Sequence, residues 1–184
     1  NYSVPTTNKK NLSTTNIINS KKYFNIGLTQ SLFKLHPDYD KILESILVEI
    51  KDARFILIKD KYNCRTEALK CRWRKTNTLL IERSIFLNRM STDDFMNITK
   101  SCHIMLDPFY FGSGNTFYES MAFGIPFITY PHNQKSKIVS AGYKQMKLKN
   151  PPIAISPQDY INWCKLYSNN RSLLEETKAE LMDK

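Results

Sequence analysis

The segment at 107–119, DPFYFGSGNTFYE, holds the residues whose types and spacing best suit chemistry. Gly112 and Gly114 are two of only five glycines in the chain, so their placement is not an effect of composition. Glycine permits a tight turn and lets a ligand approach the backbone. The segment follows an apolar run and leads into a helical pattern, and the free N–H groups at the start of a helix attract phosphate. The segment by itself therefore fits a phosphate-binding loop and an ordinary surface turn equally well.

Three side chains in or near this loop are open to two interpretations. Thr116 and Glu119 have the T-x-x-E spacing of a capping box, so Glu119 could cap the helix or bind hydroxyl groups of a ligand. Lys34 considered alone is a surface lysine. Its position just after the first apolar run makes it a candidate for binding an anion.

The surrounding pattern predicts the elements that position these residues. Apolar runs predict strands at 23–29, 54–59, 84–88, 103–106 and 126–130, with a short sixth strand at 153–155. Helical spacing and caps predict helices at 38–52, 63–75, 92–100, 115–123, 157–168 and 170–183. This alternation predicts an α/β, Rossmann-like domain with a mostly parallel sheet and helices on both faces. Ligands of such sheets bind beyond the carboxyl ends of the strands, here the loops after residues 29, 88, 106 and 130.

Charge and composition favour an anionic partner without identifying it. The formal net charge is +10, and the lysines are spread along the chain. The segment Arg72-Trp73-Arg74-Lys75 combines cations with an aromatic ring, which could bind nucleic acid or could form a solvated helix face. The alternative to an enzyme is therefore a non-catalytic basic α/β module that binds nucleic acid or a protein partner.

The remaining features concern metals, compartment and domain limits. The four cysteines show no C-x-x-C pairing and the three histidines are far apart, so we expect no metal site. Scattered thiols fit a reducing compartment, which predicts a cytoplasmic protein, and no apolar run approaches the roughly 20 residues of a membrane span. Residues 1–20 are polar and are predicted to be a linker or arm before a domain at 21–184. Because the chain starts with Asn1 rather than Met, we expect it to be a piece of a longer protein.

Three segments resemble one known family. The run HIMLDPFYFGSGNTFYESMAFGIPFITYP is similar to the donor-binding lobe of the O-linked N-acetylglucosamine transferase family, nearest to bacterial relatives that glycosylate adhesins. LTQSLFKLHPDYDKIL resembles the first segment of that lobe, and SIFLNRMSTDDF resembles the segment that lies along the nucleobase. The three segments occur in the family's order, and the resemblance extends over residues 23–183.

The resemblance implies one lobe of a GT-B glycosyltransferase that binds a uridine diphosphate (UDP) sugar without a metal or other cofactor and transfers the sugar to a protein. A second, amino-terminal lobe would bind the acceptor. Lys34 would be the catalytic residue and would offset charge on the leaving UDP, supported by Gln30. The turn of Gly112, Ser113 and Gly114 would bring the diphosphate to the helix start. The remaining implied contacts are phosphate to Asn115 and Thr116, ribose to Glu119, and uracil to Arg89 and Met90.

Overall fold

The computed structural model describes residues 22–184, so the arm predicted at 1–20 lies outside the described residues. Within that range the strands are β1 (Phe24–Leu28), β2 (Ala53–Ile58), β3 (Ser84–Leu87), β4 (Ile104–Leu106) and β5 (Phe127–Ile128). All neighbouring pairs are parallel, in the order β3-β2-β1-β4-β5. The Rossmann-like α/β fold predicted from the sequence is confirmed; β2 keeps the length of its apolar run, and the other four strands are one to three residues shorter than theirs.

The predicted sixth strand is wrong. Residues 153–155 contribute a single parallel bridge, between Ile153 and Thr129. The preceding residues, Pro151 and Pro152, have no backbone N–H to donate, so a longer ladder cannot form on that side.

The helices are α1 (Pro37–Glu49), α2 (Cys64–Thr76), α3 (Thr78–Glu82), α4 (Thr92–Lys100), α5 (Asn115–Met121), α6 (Ile138–Met146), α7 (Pro157–Asn169) and α8 (Arg171–Met182). Short 3-10 turns lie at Leu32–Lys34 and Gln134–Ser136. The sequence patterns missed α3 and α6. Helix α6 carries Gly142 in its interior, and glycine disfavours helix. A Cβ at Gly142 would lie 2.3 Å from Phe117 Cε1, so this helix needs the glycine to approach α5.

Two apolar cores lie on opposite faces of the sheet. One face of β1 and β2 packs with helices α1 and α7, where Tyr39 and Tyr160 are fully buried and their hydroxyls lie 2.7 Å apart. The other face packs with α4, α5 and α6, where Phe117 and Tyr143 are fully buried. Helices therefore cover both faces, as the sequence predicts.

Local capping fixes where several helices begin. His36 Nδ1 accepts a hydrogen bond from Asp38 N at 3.3 Å, and Pro37 occupies the first turn of α1. Ser91 Oγ accepts from Asp94 N at 3.2 Å and caps α4. His36 is thus a helix-entry residue. Over residues 22–184 no helix is long and apolar enough to cross a membrane.

The strand order creates one point at which the chain reverses direction across the sheet. The chain passes from β1 to β2 and β3 on one side, then to β4 and β5 on the other. In open α/β sheets a crevice forms at this reversal, outside the carboxyl ends of the strands. Here the reversal lies between β1 and β4, which brings Gln30 next to the glycine-rich loop.

Candidate functional site

A cleft of about 970 Å³ opens at this edge of the sheet. Its walls come from residues 29–32 after β1, residues 58–62 with Cys64 and Arg65 after β2, residues 89–92 with Phe95 after β3, and Asn115, Thr116 and Glu119 of α5. A crevice with mixed polar and apolar walls at this position is the usual ligand site of the fold.

Asp107, the first residue after β4, holds the glycine-rich loop in place. Its Oδ1 accepts from Ser113 N at 2.7 Å, and its Oδ2 accepts from the Thr129 hydroxyl at 2.7 Å. Burial raises the pKa of this carboxyl to about 6, although both hydrogen bonds favour the charged form. A Cβ at Gly112 would lie 3.0 Å from the Lys135 carbonyl oxygen, which accepts from Gly112 N. The loop therefore has a fixed shape and close packing behind it.

Gln30 ties this loop to β1. Its Nε2 donates to the Leu106 carbonyl oxygen at 2.9 Å and to Ser113 Oγ at 3.0 Å. Ser113 is fully buried, so its side chain supports the loop and does not reach the cleft. Gln30 is 5% exposed and contributes to the cleft wall.

Lys34 lies against the outer side of the same loop. Its Nζ donates to the Gly112 carbonyl oxygen at 2.9 Å and lies 4.5 Å from the centroid of the Phe111 ring. Partial burial lowers the pKa of this ammonium, and the charge of Asp107 acts in the opposite direction. Lys34 is thus held beside the predicted phosphate loop and lies outside the cleft wall.

Helix α5 starts differently from the predicted capping box. Gly114 is the residue before the helix and Asn115 is its first residue, so Thr116 lies inside the first turn and caps nothing. The capping-box interpretation is wrong because the cap position falls on a glycine, which has no side chain to offer. The first two residues of α5, Asn115 and Thr116, line the cleft, and the next backbone N–H, that of Phe117, donates to the Gly114 carbonyl oxygen at 2.9 Å.

The structure therefore divides the predicted site residues into two groups. Six line the cleft: Gln30, Arg89, Met90, Asn115, Thr116 and Glu119. Four lie beside or behind it: Lys34, Gly112, Ser113 and Gly114. Arg89 is exposed and Met90 is half-buried, on the wall after β3.

Sequence reasoning missed the loop after β2. Lys59, Lys61 and Arg65 add positive charge to the cleft wall, and Lys59 Nζ donates to Asn88 Oδ1 at 2.9 Å. Asp60 accepts from the backbone N–H of Thr66 at 2.9 Å and so secures the start of α2. Ligands of such sheets bind beyond the carboxyl ends of the strands, and this holds for β2 as for the other strands. The sequence therefore contained the information needed to include this loop.

The loop after β5, which the same rule included, does not contribute to the cleft wall. The rings of Tyr130 and His132 instead pack around Phe109, at centroid distances of 5.3 and 5.9 Å. That part of the prediction is wrong, because these aromatic side chains fill the space at the end of β5.

The basic patch at 72–75 is not a nucleic-acid surface of the predicted kind. Trp73 is fully buried in the core, so it cannot stack on a base. The Arg72 guanidinium donates to both carboxylate oxygens of Asp40, at 2.8 and 2.9 Å, and to the Leu35 carbonyl oxygen. Trp73 thus packs in the core, and the Arg72 guanidinium makes hydrogen bonds within the fold.

Across residues 22–184 no group of three His, Cys, Asp or Glu side chains could hold a metal ion. His103 is half-buried and accepts from Asn25 N at 2.9 Å, and burial lowers its pKa to about 4, which fits a structural role. All four cysteines are free thiols: Cys64 and Cys71 are exposed, and Cys102 and Cys164 are buried.

No protein-family model matches the chain, and no curated protein matches it. Solved structures do. A mutant of the Thermobaculum terrenum O-GlcNAc transferase aligns over 89% of this chain with a TM-score of 0.78 and 18% identity. The pneumococcal O-GlcNAc transferase GtfA, in complex with UDP and GlcNAc, aligns over 88% with a TM-score of 0.57 and 17% identity. Anabaena HepE, in complex with UDP and glucose, aligns over 88% with a TM-score of 0.61 and 14% identity.

These similarities establish the fold. The predicted Rossmann-like α/β architecture is confirmed, and the resemblance to the O-GlcNAc transferase family holds at the level of fold. The chain spans 32% of the length of each of the two O-GlcNAc transferases and 43% of HepE.

Proposed function

We propose that this chain is the donor-binding lobe of a glycosyltransferase and that its cleft binds a UDP-sugar for transfer to a protein. The observation that carries the proposal is the cleft at the carboxyl edge between β1 and α5, bordered by a rigid glycine-rich loop. Two of the solved structures of similar fold, GtfA and HepE, are of complexes with UDP. Nucleotide ligands of such sheets occupy this edge.

The charges of the cleft suit a diphosphate. Lys59, Lys61, Arg65 and Arg89 contribute positive charge to its walls, against Asp60 and Glu119. The N–H groups at the start of α5 add partial positive charge on one side. In this proposal the diphosphate lies at the start of α5, where the side chains of Asn115 and Thr116 form hydrogen bonds to it. The uracil lies near Arg89 and Met90, and the ribose near Glu119.

Lys34 supports transfer in this proposal through the charge that develops on the leaving group. Breaking the bond between sugar and diphosphate leaves negative charge on UDP, and a preset cation lowers the energy of that state. The Lys34 ammonium is already held beside the loop by Gly112 O, so little ordering is required at the moment of reaction. The proposal uses no metal ion, because these cations and N–H groups supply the positive charge.

A complete transferase of this type needs an acceptor site as well. Because the chain spans about a third of the O-GlcNAc transferases of similar fold, we propose that a second lobe supplies the acceptor site and the general base.

The free state of all four thiols supports a cytoplasmic location.

The cysteines allow a direct test of ligand binding. Cys64 is exposed and lines the cleft, whereas Cys71 is exposed on the same helix outside the cleft wall. We expect saturating UDP to slow alkylation of Cys64 several-fold and to leave Cys71 unchanged, as measured by mass spectrometry of peptides after brief labelling. Cys71 is thus an internal control for general changes in reactivity.

Thermal unfolding provides an independent measurement. UDP at about 100 times its dissociation constant should stabilise the folded chain by about 2.7 kcal/mol. A folded chain that shows neither stabilisation nor Cys64 protection with UDP would contradict the proposal. Salt-sensitive binding of a generic oligonucleotide, undisturbed by excess UDP, would favour the non-catalytic module instead.

A further inference from the structure

The stretch from residue 120 to residue 158 concentrates positive charge. It contains no aspartate and no glutamate, although the chain as a whole has 17 of these residues. Its lysines are all exposed, and none of them makes an ion pair with another described residue. They are Lys135, Lys137, Lys144, Lys147 and Lys149. These charges are therefore available to a partner outside the chain.

Helix α6 places part of this charge on one face. Its inner positions are buried, and one of them, Gly142, packs directly against Phe117 of α5. Its outer positions recur at intervals of three and four residues, which places them on one side of a helix. We call these outer positions the α6 face: Lys137, Ile138, Ala141, Lys144 and Gln145, all of them exposed.

The surroundings of the α6 face extend the positive charge and separate it from the nucleotide cleft. Lys147 and Lys149 directly follow the helix, and lysines are favourable near the negative end of a helix dipole. One carboxylate also lies at this end, because Glu180 Oε1 accepts from Lys149 N at 2.9 Å. The cleft wall includes no residue from 120 to 158. A partner of the α6 face therefore leaves the cleft open.

The chemistry of the α6 face favours lipid over nucleic acid. Ile138 lies among the lysines and is 42% exposed, and an apolar side chain gains from contact with lipid. The face has no aromatic ring on which a base could stack. Its cations are lysines, whereas the planar guanidinium of arginine is preferred for nucleic acid. Clusters of four to eight cations on an amphipathic helix are typical of surfaces that bind anionic lipids.

We propose that the α6 face binds the surface of an anionic membrane. The ammonium groups lie among the lipid headgroups, and Ile138 inserts between them. The flexible stems of lysine side chains suit such a boundary between apolar and charged surroundings. This contact is peripheral and does not depend on nucleotide binding in the cleft. It places the domain at a membrane surface with its cleft accessible.

Sedimentation of the full 184-residue chain with lipid vesicles tests the proposal. Wild-type protein should bind vesicles of equal parts phosphatidylglycerol and phosphatidylcholine, and should not bind vesicles of phosphatidylcholine alone. Binding should disappear in 1 M salt, where the Debye length is about 3 Å in place of about 10 Å at 0.1 M. A lysine near such a surface contributes about fivefold to the affinity, so the double variant Lys137→Gln/Lys144→Gln should bind about 25-fold more weakly.

The double variant Lys41→Gln/Lys51→Gln is the matched control, because it loses the same net charge. Both lysines are exposed, on α1 or directly after it, and α1 covers the opposite face of the sheet. Charges further from the membrane than the Debye length of about 10 Å are largely screened, so binding should change by no more than about twofold. Equal losses in the two double variants would overturn the proposal, since binding would then follow net charge.

Ile138→Ser separates a membrane from a soluble polyanion. Part of this side chain is buried on insertion, so vesicle binding should fall about threefold. Binding of a generic DNA duplex should stay the same, since a duplex offers no lipid contact to Ile138. Unchanged vesicle binding by Ile138→Ser would overturn the proposal. A wild-type chain that does not prefer the anionic vesicles, or that remains bound to them in 1 M salt, would overturn it without any variant.

Discussion

The buried carboxyl of Asp107 should give this protein a specific dependence of stability on pH. Asp107 is 1% exposed, and burial raises its pKa from 3.8 to about 6. Because the folded state holds the proton more tightly, the stabilisation is fully present below the unfolded pKa and is lost as pH rises through about 6. A difference of roughly two pKa units, at about 1.36 kcal/mol each, corresponds to about 3 kcal/mol.

Asp107→Asn should remove this dependence while it preserves the hydrogen bonds. The amide oxygen of asparagine can still accept from Ser113 N, and its N–H can donate to Thr129 Oγ1, which now donates to the carboxylate. We expect the variant and the wild type to have the same free energy of unfolding near pH 3.5. At about pH 8 the variant should be more stable by about 3 kcal/mol.

Urea unfolding of the full 184-residue chain at a series of pH values measures this difference. The other carboxyl groups are common to both proteins, so their contributions cancel when the two curves are subtracted. A difference that is the same at every pH would refute the reasoning, because it would show that Asp107 has the same pKa in the folded and unfolded states. A variant that is less stable than the wild type at about pH 8 would refute it equally.

Two further substitutions test other parts of the structure. Lys34→Met removes the bond from Nζ to Gly112 O, and calorimetry should show UDP affinity about five- to tenfold lower; equal affinity would contradict a role near the diphosphate. Lys165→Met, on the exposed surface of α7, is the control. Gly142→Ala places a methyl group 2.3 Å from Phe117 Cε1, and urea unfolding should show a loss of about 1–3 kcal/mol of stability; unchanged stability would mean that α6 can move away at no cost.

Much of the fold follows from local patterns that any segment carries within itself. The five apolar runs became β1 to β5, since a buried parallel strand is a continuous apolar segment. Pro37 and Ser91 mark the first turns of α1 and α4, because caps act over three or four residues. The glycine-rich loop was also visible, because Gly112 and Gly114 stand out in a chain with five glycines.

Other features depend on residues far apart in the chain, and local patterns could not reveal them. Gln30 and Ser113 are 83 positions apart and meet only because β1 and β4 are neighbours in the sheet. The buried state of Asp107, and hence its raised pKa, depends on the packing around the loop. Gly142 is unfavourable in an isolated helix, and only its contact with Phe117 explains it.

The sequence by itself thus determined the five strands, six of the helices and the position of the glycine-rich loop, because hydrophobic periodicity, caps and glycine act locally. Tertiary structure alone decided the order of the strands, the exclusion of the β5 loop from the cleft wall, and the burial of Asp107. The physical reason is that burial and hydrogen-bond partners are properties of the space around an atom, and that space is filled by side chains from distant parts of the chain.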